Sequence, residues 1–152
     1  RDRCLERSRG LNRGARTGRC CTRYTPWGIV VVMSTVNLTE AAFNKVVDRE
    51  GIVLVDFWAA WCPPCRAFAP VFEKASEQHT DIVFGKIDTE AERNLAAAAD
   101  IQSIPTLMAF RDGILVFSQP GALRAPQLEQ VIQAVRALDM TEVRSDLAKQ
   151  SS

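Results

Sequence analysis

The sequence lacks any apolar run near the length of about 20 residues that a membrane-spanning helix needs. It also lacks an internal repeat and has a single histidine, His79. We therefore expect no membrane partner and no repeat architecture. With 152 residues, of which 47% are hydrophobic, the chain has the length of one domain whose core can form without disulfide cross-links.

Lysine is absent from residues 1–33, which instead hold eight arginines and two acids, Asp2 and Glu6, and so carry a charge of +6. Because the whole chain carries +1, the rest carries −5, which does not favour a nucleic-acid partner. The segment has no apolar periodicity, so we expect it to be disordered. We interpret it as an extension or a misassigned start before Met33; a targeting leader and a basic arm that binds nucleic acid or membrane are the alternatives.

The body of the chain alternates strand-like and helix-like segments. Apolar spacing predicts strands at 34–38, 52–58 and 82–88, a hairpin over 105–121, and helices over 40–49, 62–79, 89–100 and 126–138. Gly113 supplies the positive φ that the hairpin turn needs. This order predicts an α/β fold with a central mixed sheet and helices on both faces. Residues 139–152 are polar, and we expect them to fray as a C-terminal tail.

Two cysteines, Cys62 and Cys65, follow the predicted strand 52–58 and begin the next predicted helix. The unpaired N–H groups and the dipole at a helix N-terminus favour a thiolate at Cys62, and the thiolate is the reactive form. The i,i+3 spacing brings the two sulfurs within bonding reach. Cys62 can then attack a disulfide and Cys65 can release the product. Pro64 fits the first helical turn, where its missing N–H costs little.

Two other interpretations of the cysteine pair remain open at this point. A Cys-x-x-Cys pair can be half of a zinc site, which needs two further ligands. The body offers only His79 and carboxylates, because the other three cysteines lie in residues 1–33. The pair can also be structurally inert.

An acid, Asp56, interrupts the apolar run of the strand 52–58. Burial raises the pKa of a carboxyl group, and a buried carboxyl behind Cys65 could take and return the proton of that thiol. The alternative is a strand-end aspartate that accepts a backbone hydrogen bond. Lys86, on the next predicted strand, could pair with Asp56 and restrain the rise in its pKa, or it could be a solvated lysine at a strand edge.

Four motifs in order make residues 34–138 resemble the thioredoxin family: "VLVDFWAAWCPPCRAFAP", "KID", "SIPTLMAFRDG" and "PGAL". The resemblance implies the thioredoxin fold and a reversible disulfide between Cys62, the attacking cysteine, and Cys65, the resolving cysteine. It also implies that Asp56 is the buried proton-transfer acid and that Lys86 is its neighbour. The first 33 residues and the tail lie outside the resemblance.

The resemblance further assigns a substrate-binding surface, made by Trp61, Pro63, Pro64, Ile104, Pro105 and Gly121, with Trp58 as the second tryptophan that flanks the site. It implies a cis peptide bond at Ile104–Pro105, although a proline there could also simply start a strand. Gly121 could likewise be a plain turn residue. Pro70 matches a proline that kinks the active-site helix, or it ends a shorter helix. Pro63 departs from the usual glycine, and Pro120 is also unusual for the family.

By this resemblance we expect a monomeric protein-disulfide reductase that binds no cofactor or metal itself. Its partners are then disulfide-containing proteins and a thioredoxin reductase that supplies electrons from NADPH. The apolar stretch 29–33 is short for a signal-peptide core, so we expect a cytoplasmic location. The alternatives are a thioredoxin-like oxidant or isomerase in an oxidising compartment, and a peptide-binding module without redox activity.

Overall fold

The computed structural model describes Arg23–Tyr24, Val30–Val31 and residues 35–150. The chain divides into two units, Arg1–Val32 and Met33–Ser152. In the first unit, strands β1 (Arg23–Tyr24) and β2 (Val30–Val31) pair antiparallel. We expect residues 1–33 to be disordered, but except for β1 and β2 this segment lies outside the described residues.

The second unit contains the α/β domain that the sequence predicts. Its elements are β3 (Thr35–Asn37), α1 (Glu40–Val47), β4 (Ile52–Trp58), α2 (Pro63–Gln78), β5 (Val83–Asp88), α3 (Arg93–Ala98), β6 (Thr106–Arg111), β7 (Ile114–Pro120), α4 (Ala125–Ala137) and α5 (Met140–Gln150). The sheet has the strand order β3-β5-β4-β6-β7. The pairs β3–β5 and β5–β4 are parallel, whereas β4–β6 and β6–β7 are antiparallel. The predicted mixed sheet is confirmed.

The central strand β4 is buried on both faces of the sheet. Successive side chains of a strand point to opposite faces. Leu54 packs with Phe68 and Phe72 of α2 and with Leu128 and Ile132 of α4, while Val53, Val55 and Phe57 pack with Val47 of α1 and Leu95 of α3. Helices therefore cover both faces, as predicted. Asp56 is two residues after Leu54, so its side chain lies on the same face of the sheet, which α2 covers.

The turn between β6 and β7 has the backbone that the sequence predicts. Asp112 and Gly113 both have positive φ, at 51° and 81°. Two successive residues in this region match the twist of a two-residue hairpin, and glycine adopts it without steric cost. The carboxylate of Asp112 also accepts a hydrogen bond of 2.8 Å from the backbone N–H of Gly51, which ties the turn to the start of β4.

The predicted helix over 89–100 is wrong in its first turn, because α3 begins only at Arg93. Thr89 is held at the end of β4: its backbone N–H and its hydroxyl both donate to the carbonyl of Trp58, at 2.9 and 3.2 Å. The side chain of Asp88 accepts from the backbone N–H of Glu90 at 2.9 Å, which makes a turn rather than a helix. These contacts leave residues 89–92 as a connection between β5 and α3.

The expected fraying of residues 139–152 is wrong for most of that segment, because α5 covers Met140–Gln150. Asp139 starts this helix: its carboxylate accepts from the backbone N–H groups of Thr141 and Glu142, at 2.8 and 3.4 Å. These hydrogen bonds hold the pKa of Asp139 below its ordinary value. Met140 is buried and anchors the first turn. A capping aspartate and one buried methionine thus start a helix in a segment whose polar composition predicts a frayed tail.

Arg111 connects the end of β6 to the C-terminus of α4. Its Nη1 donates to the carbonyl oxygens of Val135, Arg136 and Leu138, at 2.6, 3.0 and 2.8 Å. The last carbonyl groups of a helix have no partner within the helix, and a cation is favoured beside them. Arg111 therefore stabilises the end of α4 and fixes it against the sheet.

We expect Arg111→Met to lower the free energy of unfolding by about 1–3 kcal/mol, because three carbonyl groups lose a charged donor. Urea denaturation at neutral pH measures this change. Arg93→Met is the control, since it removes an exposed ion pair with Glu90 and an exposed hydrogen bond to the carbonyl of Glu90, and it should change the free energy by less than about 0.5 kcal/mol. Equal losses in the two variants would contradict the capping role of Arg111.

Candidate active site

The junction between β4 and α2 sets the position of both cysteines. Cys62 is the N-cap of α2, with extended backbone angles (φ −85°, ψ 110°), and Pro63 and Pro64 form the first helical positions. The backbone N–H of Cys65 donates to the sulfur of Cys62 at 3.2 Å. A proline lacks an N–H, so the two prolines remove two donors that would otherwise be unpaired at the helix start. The sulfur of Cys62 therefore occupies the place of an N-cap side-chain oxygen.

Cys62 and Cys65 form a disulfide, with their Cα atoms 5.3 Å apart. Both residues are buried, and they pack with Ala59, Trp58 and Ile104. Within residues 35–150, no three side chains of the metal-ligating types converge on one point. The disulfide places the pair for reversible oxidation.

Ile104 and Pro105 lie beside the disulfide and are joined by a cis peptide bond, as the resemblance implies. The carbonyl oxygen of Ile104 is 3.8 Å from the sulfur of Cys62. The carbonyl of Pro105 accepts a hydrogen bond of 2.7 Å from the backbone N–H of Gly121, whose φ of 103° suits only glycine. This hydrogen bond joins the start of β6 to the end of β7, so Gly121 has a structural task there besides any role toward a substrate.

A groove of about 440 Å³ opens over Cys62. Four of the residues predicted to bind substrate line it, namely Trp61, Pro63, Pro64 and Ile104, whereas Pro105 and Gly121 are not among the lining residues. Trp61 is 65% exposed, and its Nε1 donates to a carboxylate oxygen of Glu90 at 3.4 Å. A large exposed aromatic side chain beside a reactive group is a typical contact surface for a partner.

The opposite wall of the groove was missed from the sequence. It is formed by Thr89, Ile101, Gln102 and Ser103, which belong to the connections on either side of α3. Ser103 belongs to the motif "SIPTLMAFRDG", but no motif marks Thr89, Ile101 or Gln102, which reach Cys62 only through the fold. Their polar side chains and backbone add hydrogen-bonding groups to an otherwise apolar groove.

Asp56 is 1% exposed, and neither of its carboxylate oxygens has a hydrogen-bond partner among the described residues. Burial raises the pKa of Asp56 to about 7, and the nearby positive charge of Lys86 limits the rise. The alternative of a strand-end aspartate that accepts a backbone hydrogen bond is wrong. The carboxyl group can therefore gain or lose a proton near neutral pH, on the face of the sheet that the cysteine-bearing helix covers.

Lys86 is the neighbour of Asp56 in the pairing of β4 with β5, but the two side chains do not form the direct ion pair that we considered. The ammonium of Lys86 is 3.6 Å from a carboxylate oxygen of Glu73 and 5.0 Å from the centre of the Trp58 ring. Its side chain is only 14% exposed, and β5 is an interior strand. The alternative of a solvated lysine at a strand edge is therefore also wrong.

Pro70 lies inside α2, which continues from Pro63 to Gln78. The interpretation that Pro70 ends a shorter helix is wrong. The helix survives its missing hydrogen bond because Phe68 and Phe72, on either side of Pro70, are buried in the core.

A buried disulfide that opens onto a groove can exchange with a disulfide of another protein, and this chemistry places the molecule among the thiol–disulfide oxidoreductases. Comparison with known proteins defines the group more closely. The thioredoxin family model matches residues 34–134, and the chain belongs to the thioredoxin family.

Three relatives illustrate the relationship. A putative thioredoxin 2 of Streptomyces coelicolor is 53% identical over 119 residues, which cover 78% of this chain and 89% of the relative. A thioredoxin of Alicyclobacillus acidocaldarius is 39% identical over 105 residues, covering 66% of this chain and 100% of the relative. The solved structure of Plasmodium falciparum thioredoxin superposes with a TM-score of 0.62 at 32% identity and covers 66% of this chain and 98% of that one.

Family, fold and disulfide together establish the activity. The chain is a protein-disulfide oxidoreductase that works through the Cys62–Cys65 dithiol and disulfide, and its targets are disulfide-containing proteins. Among the helices that the structure describes, none has the length and apolarity to cross a membrane.

The raised pKa of Asp56 predicts an unusual dependence of stability on pH. A folded pKa of about 7 against the ordinary 3.8 means that, between these values, the folded protein holds a proton that the unfolded chain releases. The stability contributed by Asp56 is therefore lost as the pH rises from about 4 to about 7. Asp56→Asn has no carboxyl group to titrate and so avoids this loss. Its free energy of unfolding, relative to that of the parent, should therefore rise by about 2–4 kcal/mol between pH 5 and pH 8.5.

Urea denaturation of the oxidised proteins at the two pH values measures this difference. Asp146→Asn is the matched control, because Asp146 lies on the exposed side of α5 in a surface pair with Lys149. If the free energies of unfolding of Asp56→Asn and the parent differ by the same amount at both pH values, the buried carboxyl is not the titrating group.

Proposed function

We propose that the chain passes electrons from NADPH, delivered by a thioredoxin reductase, to the disulfides of target proteins in the cytoplasm, and that it acts as a monomer. The observation that carries the proposal is the disulfide of Cys62 and Cys65 at the start of α2, under an exposed groove. A donor of electrons has to be kept in its dithiol form, and the cytosol maintains thiols in that form.

In the first step, the thiolate of Cys62 attacks one sulfur of the target disulfide. A bond forms between Cys62 and that sulfur, the target bond breaks, and the second target sulfur leaves as a thiolate that takes a proton from water. Cys62 suits this task because its sulfur already occupies the N-cap of α2, where the N–H of Cys65 donates to it. The helix start thus stabilises the negative charge before the reaction.

In the second step, Cys65 resolves the mixed disulfide. Asp56, ionised, takes the proton of the Cys65 thiol, and the resulting thiolate attacks the sulfur of Cys62. The Cys62–Cys65 bond forms, the bond between Cys62 and the target sulfur breaks, and that sulfur leaves as a thiolate that takes a proton from water. Both sulfurs of the target are then reduced, so two electrons have passed to it. A pKa of about 7 suits Asp56 for this exchange, since it can accept the proton and release it again near neutral pH.

The target peptide docks in the groove beside Ile104. The carbonyl of Ile104 lies 3.8 Å from the sulfur of Cys62, so an extended peptide that pairs with this backbone brings its own sulfur to the reactive one. Trp61, Pro63 and Pro64 then contact the peptide from the other side. We assign Pro105 and Gly121 to holding this backbone in place, through the hydrogen bond between them.

The roles of the two cysteines predict different outcomes for their serine variants. In insulin reduction with dithiothreitol as the electron source, Cys62→Ser should lower the rate to that of dithiothreitol alone, because no attacking thiolate remains. Cys65→Ser should retain the first step and accumulate a mixed disulfide through Cys62, which non-reducing gels and intact-mass measurement detect.

Trp61→Ala is a useful companion variant, because it leaves both cysteines in place and should weaken only the contact with the target. It should raise KM more than it lowers kcat. If Cys62→Ser reduces insulin as fast as the parent, the proposed mechanism fails.

The proposed electron source predicts a coupled reaction. With NADPH and a bacterial thioredoxin reductase, catalytic amounts of the chain should support oxidation of NADPH in the presence of insulin, followed at 340 nm. The double variant Cys62→Ser, Cys65→Ser should not, since no disulfide remains for the reductase to reduce. A redox potential in the range of disulfide oxidants, measured against glutathione, would instead favour the oxidant function.

A further inference from the structure

Lys86 is placed between two carboxyl groups of different exposure. Asp56, its neighbour across the β4–β5 pairing, is 1% exposed, whereas Glu73, on α2, has a side chain that is 46% exposed. The alternation of β5 puts Lys86 on the same face as Phe84, which packs against Phe72 of α2. One ammonium group therefore lies under the helix that carries the cysteines, with an acid on the core side and an acid on the solvent side.

The contacts of Lys86 favour the outer acid. Its nitrogen is 3.6 Å from Glu73 and 5.0 Å from the centre of the Trp58 ring, while no residue in the described part of the chain donates a hydrogen bond to Asp56. A cation over the face of an indole ring is attracted by the ring and kept in that position. Glu73 and Trp58 together hold the ammonium where it acts on Asp56 through space but does not bond to it.

We propose that Glu73 is a positioning residue for the disulfide reaction: its carboxylate holds the ammonium of Lys86 over Trp58, out of contact with Asp56, and so preserves the ability of the buried acid to carry a proton near neutral pH. This inference rests on the proposed role of Asp56 in moving the proton of Cys65. It assigns a task to a residue that no sequence motif marks.

The groups that face Asp56 are few. Lys86, opposite Asp56 on β5, is the charged group that acts on it. Asp88, the next residue on the same face of β5, pairs with Trp58, and the partner of Asp56 on β6 is Leu107, which is apolar. Without the Glu73 carboxylate, Asp56 would be the remaining carboxylate that attracts the ammonium of Lys86. The ionised form of Asp56 would then be favoured, and its pKa would fall.

A surface ion pair without such a role would behave differently. Exposed pairs contribute little to stability, and their loss does not reach a buried group. The measurement that separates the two cases is the titration of the Asp56 carboxyl carbon by NMR in the oxidised full-length chain. We expect Glu73→Gln to lower the pKa of Asp56 by about half a pH unit or more. Lys86→Met should raise that pKa, because the favourable positive charge is gone.

The double variant Glu73→Gln, Lys86→Met tests whether Glu73 acts through Lys86. It should titrate like Lys86→Met alone, since Glu73 has no ammonium left to hold. Glu73→Asp should restore part of the parent value. Glu77→Gln is the matched control, because it removes the same charge from an exposed position on the same helix, and it should leave the titration of Asp56 unchanged.

The rate of insulin reduction as a function of pH gives the second readout. In Glu73→Gln the ionisation in this profile should move to lower pH together with the pKa of Asp56. An unchanged titration in Glu73→Gln, or a double variant in which the two effects simply add, would overturn the role of Glu73. A titration that moves while Asp56→Asn leaves the pH profile of the reaction unchanged would instead overturn the proposed role of Asp56, so the two failures are distinguishable.

Discussion

The structure depends on an alternation of side chains along one strand. Because β4 is buried on both faces, every second residue must face α2, and Leu54, Asp56 and Trp58 share that side. A shift of the pairing by one residue would move the carboxyl group of Asp56 to the opposite layer, away from the helix that carries both cysteines. The core packing of Leu54 against Phe68 and Phe72 therefore also fixes where the acid lies.

The site contains two ionisable groups whose surroundings act on negative charge in opposite ways. At Cys62 the helix start offers the N–H of Cys65 and the helix dipole to a negative sulfur, so the negative charge there is stabilised. At Asp56 none of the residues that the structure describes supplies a donor, so the charged form is disfavoured and the pKa rises to about 7. One group is prepared to be ionised and the other to exchange its proton, which is the division of tasks that disulfide exchange between Cys62 and Cys65 requires.

Much of the fold was predictable because it follows from short-range patterns. The strand at 52–58 and the turn at Gly113 appear as predicted, since an apolar β-branched run and a glycine with positive φ leave few alternatives. Local patterns failed where distant contacts decide. Thr89 is held by the carbonyl of Trp58 rather than by a helix, and α5 forms from Asp139 onward because a cap and a buried Met140 outweigh a polar composition.

The sequence by itself determined the cysteine pair, the acid in the strand and the proline that follows Ile104, because spacing within one segment places each of them on its element. Only the tertiary structure decided which groups meet. It set Ile104 beside Cys62, brought Gln102 and Ser103 to the groove, and turned Lys86 toward Glu73 rather than Asp56. These contacts join residues far apart along the chain, and their geometry depends on how strands and helices pack, which no local spacing records.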